Sequence, residues 1–139
     1  DVSKPSTPSE LDCEIIEGSN LFTPVLGDHK ALLFDYEKNL LVLPVNNYRY
    51  SVLKEKGNDF FQGFYVYNFT VEKGFQYRGK ITHQSNNFSE RHYKGYRDTV
   101  FLGRSLYIED KLYTISNQKI KINSLKNLTE ITTINLTEQ

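Results

Sequence analysis

The sequence predicts an all-β protein. Apolar residues recur with a period of two in short runs such as "SLYIED", "KLYTIS" and "KIKINSL", the pattern of strands with one face buried. Ten Tyr and nine Phe occur in 139 residues, and such rings suit strands and bury a large area each. Helix signals are nearly absent: only residues 51–56 have the composition of a helical turn, which is too short to organise a domain.

Taken in order, residues 1–11, "DVSKPSTPSEL", hold two prolines among Ser and Thr and read as a connector. "ELDCEIIEG" alternates, with Leu11, Cys13 and Ile15 on one side, and stops at Gly18, so a lone strand is expected there. "NLFTPVLGDH" contains Pro24 and Gly27 and reads as a loop. "KALLFD", the polar turn "DYEKN" and "LLVLPVNN" form a hairpin, with Pro44 marking a bulge or an edge. After a polar excursion, "FFQGFYVYNFTV", the turn "EKG" and "FQYRGKITH" supply two more strands. Residues 84–98 are polar without a clean period. Four further strands follow, in "SLYIED", "KLYTIS", "KIKINSL" and "LTEITTINL", separated by short turns.

The count is one strand, then four, then four. Short connections pair neighbours as up-and-down meanders, and four-stranded meanders repeated along a chain are the signature of β-propeller blades. The expected architecture is two four-stranded antiparallel blades plus one extra strand, a fragment of a larger propeller. Residues 1–29 supply the outer strand of a preceding blade and a linker, 30–83 a blade, 84–103 a connecting excursion and 104–139 the final blade. A two-layer β-sandwich also has many short strands and is the alternative. Leu32, Phe34, Leu41, Leu43, Leu106, Ile108, Leu112 and Ile115 alternate along their strands and are the expected core, since one register must be buried.

The segments "DVSKPSTP", "DHKALLFDYEKNLLVLPV", "FQGFYVYNF", "GFQYRGKITH" and "GRSLYIEDKLYTISNQKIKINSLKNLTEI" resemble the C-terminal part of a family of secreted β-propeller proteins of archaea and bacteria. The resemblance spans nearly the whole chain, but the family's propeller is several times longer. It implies a secreted or cell-surface location and brings no catalytic residue with it. Four Asn-x-Ser/Thr sequons, at Asn68, Asn87, Asn127 and Asn135, are compatible with export. With no Met anywhere, the sequence is expected to be a processed chain or a piece of a longer one.

Net charge is zero, which argues against general nucleic-acid binding, because that needs a basic excess to release counterions. No run of apolar residues is long enough for a membrane-spanning helix. Cys13, the single cysteine, cannot form an internal disulfide and reads as a half-buried strand thiol. No Gly-rich phosphate loop and no nucleophile elbow occurs. No cofactor is expected. Asp28 and His29 stand at the start of an inner strand, where a carboxylate and an imidazole suit a divalent metal ion; the commoner role of such a pair is to fix the loop on the strand. His83 and His92 flank the excursion at a spacing that matches no compact metal motif. Asp35, Glu37, Glu109 and Asp110 fall in hairpin turns, where acids cap backbone amides. "RHYKGYRD" interleaves Arg91, Lys94 and Arg97 with His92, Tyr93 and Tyr96. Cations beside aromatic faces grip sugars or peptides, so these six are the candidate ligand contacts, for a carbohydrate or an extracellular protein. Remaining blades, or further copies of the chain, are the expected partners. The sum is a non-catalytic extracellular propeller scaffold or binding module; the alternative is a portion of an exported enzyme whose active site lies across the full ring or in another domain.

Overall fold

The structure, a computed structural model, describes residues 1–18, 20–49, 59–84, 100 and 102–136. Two antiparallel sheets account for all the described strands. The first sheet contains β1 (Asn20–Phe22), β2 (Leu33–Asp35), β3 (Leu40–Arg49), β4 (Asp59–Thr70) and β5 (Gly74–Thr82). The second contains β6 (Leu102–Ile108), β7 (Lys111–Ser116), β8 (Lys119–Ser124) and β9 (Glu130–Asn135), paired in chain order. The first sheet takes in β1 from residues 1–29 as well as the strands of 30–83, and β6 begins at Leu102, inside the stretch expected as a connecting excursion.

The long strand β3 organises the first sheet. One edge pairs with β4 over its whole length, from Leu40↔Asn68 to Arg49↔Asp59. The other edge is shared by two short strands: β2 pairs with Leu40–Val42, and β1 with Asn46–Tyr48. Pro44 sits in the gap between them, where a strand can lack a ladder donor at little cost. The β2–β3 turn is closed by Asp35, whose Oδ1 accepts from the Lys38 amide at 2.9 Å, and by Asn39 in the left-handed region at φ 51°, which Asn tolerates better than most residues.

The two sheets pack face to face. Leu40, Val42, Phe64, Val66 and Ile81 of the first meet Leu102 and Leu112 of the second, together with Val100 just before β6. Burying such side chains contributes about 1.5–3 kcal/mol each. Among the eight expected core positions, Leu112 is fully buried, while Phe34, Leu106 and Ile108 are exposed and Leu32, Leu41, Leu43 and Ile115 are half-buried. In β3 the opposite register, Leu40 and Val42, is the buried one. The strands are apolar on both faces, so alternation does not choose between the registers. Each sheet has one face against its partner and one facing away.

A β-bulge in β5 locks the outer side of the seam. Val66 pairs with Gly79 but Tyr67 pairs with Tyr77, so Arg78 has no partner on β4. Its guanidinium reaches across to the second sheet and donates to the Leu125 and Lys126 carbonyls of the β8–β9 turn. Gly79, at φ 155°, leaves room for Leu128; a Cβ there would stand 3.0 Å from the Leu128 methyl.

The lone strand expected at Leu11, Cys13 and Ile15 does not form. Residues 11–18 instead run as a strap across the outward face of the first sheet. Asp12 Oδ2 accepts from the Phe75 amide at 2.7 Å, and Asn47 Nδ2 donates to the Glu17 carbonyl at 2.7 Å. Gly74 makes the first fastening accessible: its φ is 64°, and a Cβ there would collide with the Asp12 carboxylate. Beneath lies an aromatic cluster in which Tyr67 touches Tyr65, Phe75 and Tyr77. Tyr67 is only 4% exposed. Burial, with the charge of Glu14 adding to it, pushes its phenol up to about 12. Cys13, on a strap without a strand ladder, is exposed rather than half-buried. The strand in this part of the chain is β1, in the stretch that reads as a loop.

Candidate functional site at the inner edge of the seam

Among the described residues, β2 and β6, the first strands of the two meanders, carry no strand on their outer edges, and these two edges lie side by side. The polar residues of interest gather there. Asp28 caps the 3-10 turn Pro-free stretch His29–Ala31, its Oδ1 accepting from the Lys30 amide at 3.0 Å. Its other oxygen pairs with Arg104 of β6 at 3.3 Å. Both side chains are about half exposed, so the pair orients the loop more than it stabilises it. His29 is exposed beside it. Among the described residues, no group of three or more His, Cys, Asp or Glu side chains is arranged to hold a metal ion.

One hairpin length further along, Tyr107 of β6 donates from its hydroxyl to Asp35 Oδ2 at 2.5 Å. The Lys38 ammonium lies 5.0 Å from the Tyr107 ring centroid. Asp35 thus uses one oxygen to close its own turn and the other to join the second sheet. The Tyr107 hydroxyl, then the Lys38 amide, hold its carboxyl below the ordinary carboxylate range, and the same bond raises the Tyr107 phenol.

Deep in the seam, His83 follows β5. Its ring nitrogens stand 2.9 Å from Ser116 Oγ and 2.9 Å from Thr114 Oγ1, both on β7. All three side chains are buried. An imidazole beside a serine hydroxyl has the composition of a nucleophile and its base, but this serine is 3% exposed. Its oxygen is further occupied by the Lys119 amide at 3.1 Å and stands 3.2 Å from the Lys119 carbonyl. The arrangement is a fastening.

The sequence-based site residues therefore separate. Asp28 and His29 are adjacent on one turn, with Asp28 engaged by Arg104. Arg91, His92, Tyr93, Lys94, Tyr96 and Arg97 lie outside the described residues. Arg104, Tyr107 and Lys38, which complete the inner edge, went unremarked in the sequence. The signal for Tyr107 is faint: it is the polar-tipped member of "SLYIED", on the face opposite the two aliphatic residues.

Two antiparallel meanders stacked face to face, with their first strands side by side at one edge, define a propeller-type assembly of blades. Residues 1–128 match the model of the beta propeller domain family, and the chain belongs to that family. Neither the curated proteins nor the solved structures gave a match.

Proposed function

We propose that the chain is a non-catalytic scaffold and binding module of a secreted or cell-surface β-propeller. The observation that carries this reading is how the ionisable groups of the inner edge are used. Asp28 is engaged by Arg104, and Asp35 by Tyr107 and its own turn. These groups join sheet to sheet, as a framework requires. Location rests on the resemblance to secreted propellers and on the sequons.

Ligand contact is assigned, on sequence alone, to Arg91, His92, Tyr93, Lys94, Tyr96 and Arg97, with a carbohydrate or an extracellular protein as ligand. The open outward face of the second sheet is assigned to a further blade or to another copy of the chain. Leu106, Ile108 and Ile134 are exposed on the second sheet, and a patch of this kind marks an interaction surface.

The test is binding of the purified chain to immobilised oligosaccharides and to a panel of extracellular proteins. A ligand that is retained by the wild type and lost at least tenfold in Tyr93→Ala/Tyr96→Ala/Arg97→Ala supports the assignment. Retention unchanged in that triple variant removes the ligand site. Turnover of ester, phosphoester or glycoside substrates by the chain would instead favour the exported-enzyme reading.

A further inference from the structure

His83 belongs to one sheet by its backbone and to the other by its ring. Its amide donates to the Gln62 carbonyl of β4 at 2.8 Å, while both ring nitrogens are spent on hydroxyls of β7. The Phe64 ring meets it edge-on at 5.2 Å, and the side chain has no solvent exposure. One arrangement satisfies every donor: Nδ1–H donates to Ser116 Oγ, which donates on to the Lys119 carbonyl, and the Thr114 hydroxyl donates to Nε2. That arrangement requires a neutral imidazole. A proton on Nε2 reverses that bond, so that the Thr114 oxygen accepts and its hydrogen loses the Nε2 acceptor, and it leaves a charge in a fully buried seam.

The surrounding charges oppose protonation as well. Lys119 and Lys121 face the ring from β8. Glu130 of β9 has the opposite effect, but its oxygens are engaged by Lys121 at 2.6 Å and Thr133 at 2.7 Å. The partners described on β4 and β7 are uncharged: the Phe64 ring, the Gln62 carbonyl and the two hydroxyls.

We propose that His83 is an acid-release latch: its neutral ring holds the first sheet on the second, and uptake of a proton opens the seam between them. Burial first, then Lys121 and Lys119, pulls the imidazole down to about 4 from an ordinary 6.5. The opened state, with an ordinary imidazole, binds the proton first. The latch is therefore fully held above about pH 6.5 and is lost progressively as pH falls toward 4. That shift raises the opening equilibrium constant about 30-fold between pH 7.5 and pH 5. The carboxylates with lowered values, Asp35, Asp110 and Glu130, act mainly below this window.

Two measurements test the latch. Amide-exchange protection at His83, corrected for the intrinsic pH dependence of exchange, should fall about 30-fold from pH 7.5 to 5. In His83→Gln, which keeps hydrogen-bonding capacity without titrating there, it should stay flat. An equal fall in His83→Gln overturns the proposal. If that variant does not fold, the ring nitrogen shifts of the wild type decide: a ring still neutral at pH 5.5 supports the latch, and one half-protonated near 6.5 overturns it.

Discussion

Leu106 and Leu112 are chemically identical, are separated by one hairpin turn, and have opposite fates. Leu112 is fully buried between the sheets; Leu106 is 39% exposed on the face that points away. Leu112→Ala should cost about 2–5 kcal/mol, because the cavity cannot collapse between two sheets, while Leu106→Ala should cost less than about 1 kcal/mol. Urea denaturation of the two variants measures the difference, and equal losses would mean that both faces of the second sheet are packed. Asp35 offers a second residue-level test. In Tyr107→Phe its carboxyl loses its largest stabilising contact and should titrate closer to the ordinary range, read by carboxyl NMR. The sign is fixed: a depressed carboxyl contributes stability above the ordinary value and loses it as pH falls through the folded value. The variant should therefore be less stable than the wild type above the ordinary carboxylate range, and the difference should shrink as pH falls through the folded value.

At the level of elements, β7 is legible to the residue in "KLYTIS", and β8 and β9 lie within their expected segments. Alternation bounded by short turns is a local signal, and these strands are built from local pairings. The strap was not legible. "ELDCEIIEG" alternates as well as a true strand does, but a strand needs a ladder partner. What places these residues is Asp12 on the Phe75 amide, 63 residues away, and no local pattern reports that. The inner edge was half legible: Asp28 and Asp35 were visible as loop and turn acids, whereas Arg104 and Tyr107 matter only through their register against β2. Two substitutions probe the strap. Asp12→Ala removes the first fastening and should speed proteolytic cleavage within residues 11–18 severalfold, with the unfolding midpoint of the sheets unchanged. Gly74→Ala places a Cβ at φ 64° and into the Asp12 carboxylate, so it should release the strap and also weaken the β4–β5 turn. Cleavage rates equal to wild type in both variants would dissociate Asp12 from strap retention.

For the whole molecule, two sheets share one core and each keeps an outward apolar face. The second sheet's face is open, with Leu106, Ile108 and Ile134 exposed and Ile115 and Ile120 half-buried. Net charge is zero, so little repulsion keeps copies apart. The chain should self-associate, with an apparent mass that rises with concentration in light scattering. Leu106→Lys/Ile134→Lys should return it toward the monomer. A monomer at every concentration would mean that this face is covered in solution.

The strap also sets how the molecule yields to a pull. Its two fastenings, Asp12 on Phe75 and Glu17 on Asn47, lie in sequence along one crossing. A force applied at the N-terminal side meets them one after the other. Bonds loaded in series part singly, as in peeling, whereas bonds loaded together share the strain. Tension from that side would thus strip the strap at low force and uncover the Tyr67 cluster while both sheets stayed folded, making the aromatic face accessible to traction before it is accessible to heat.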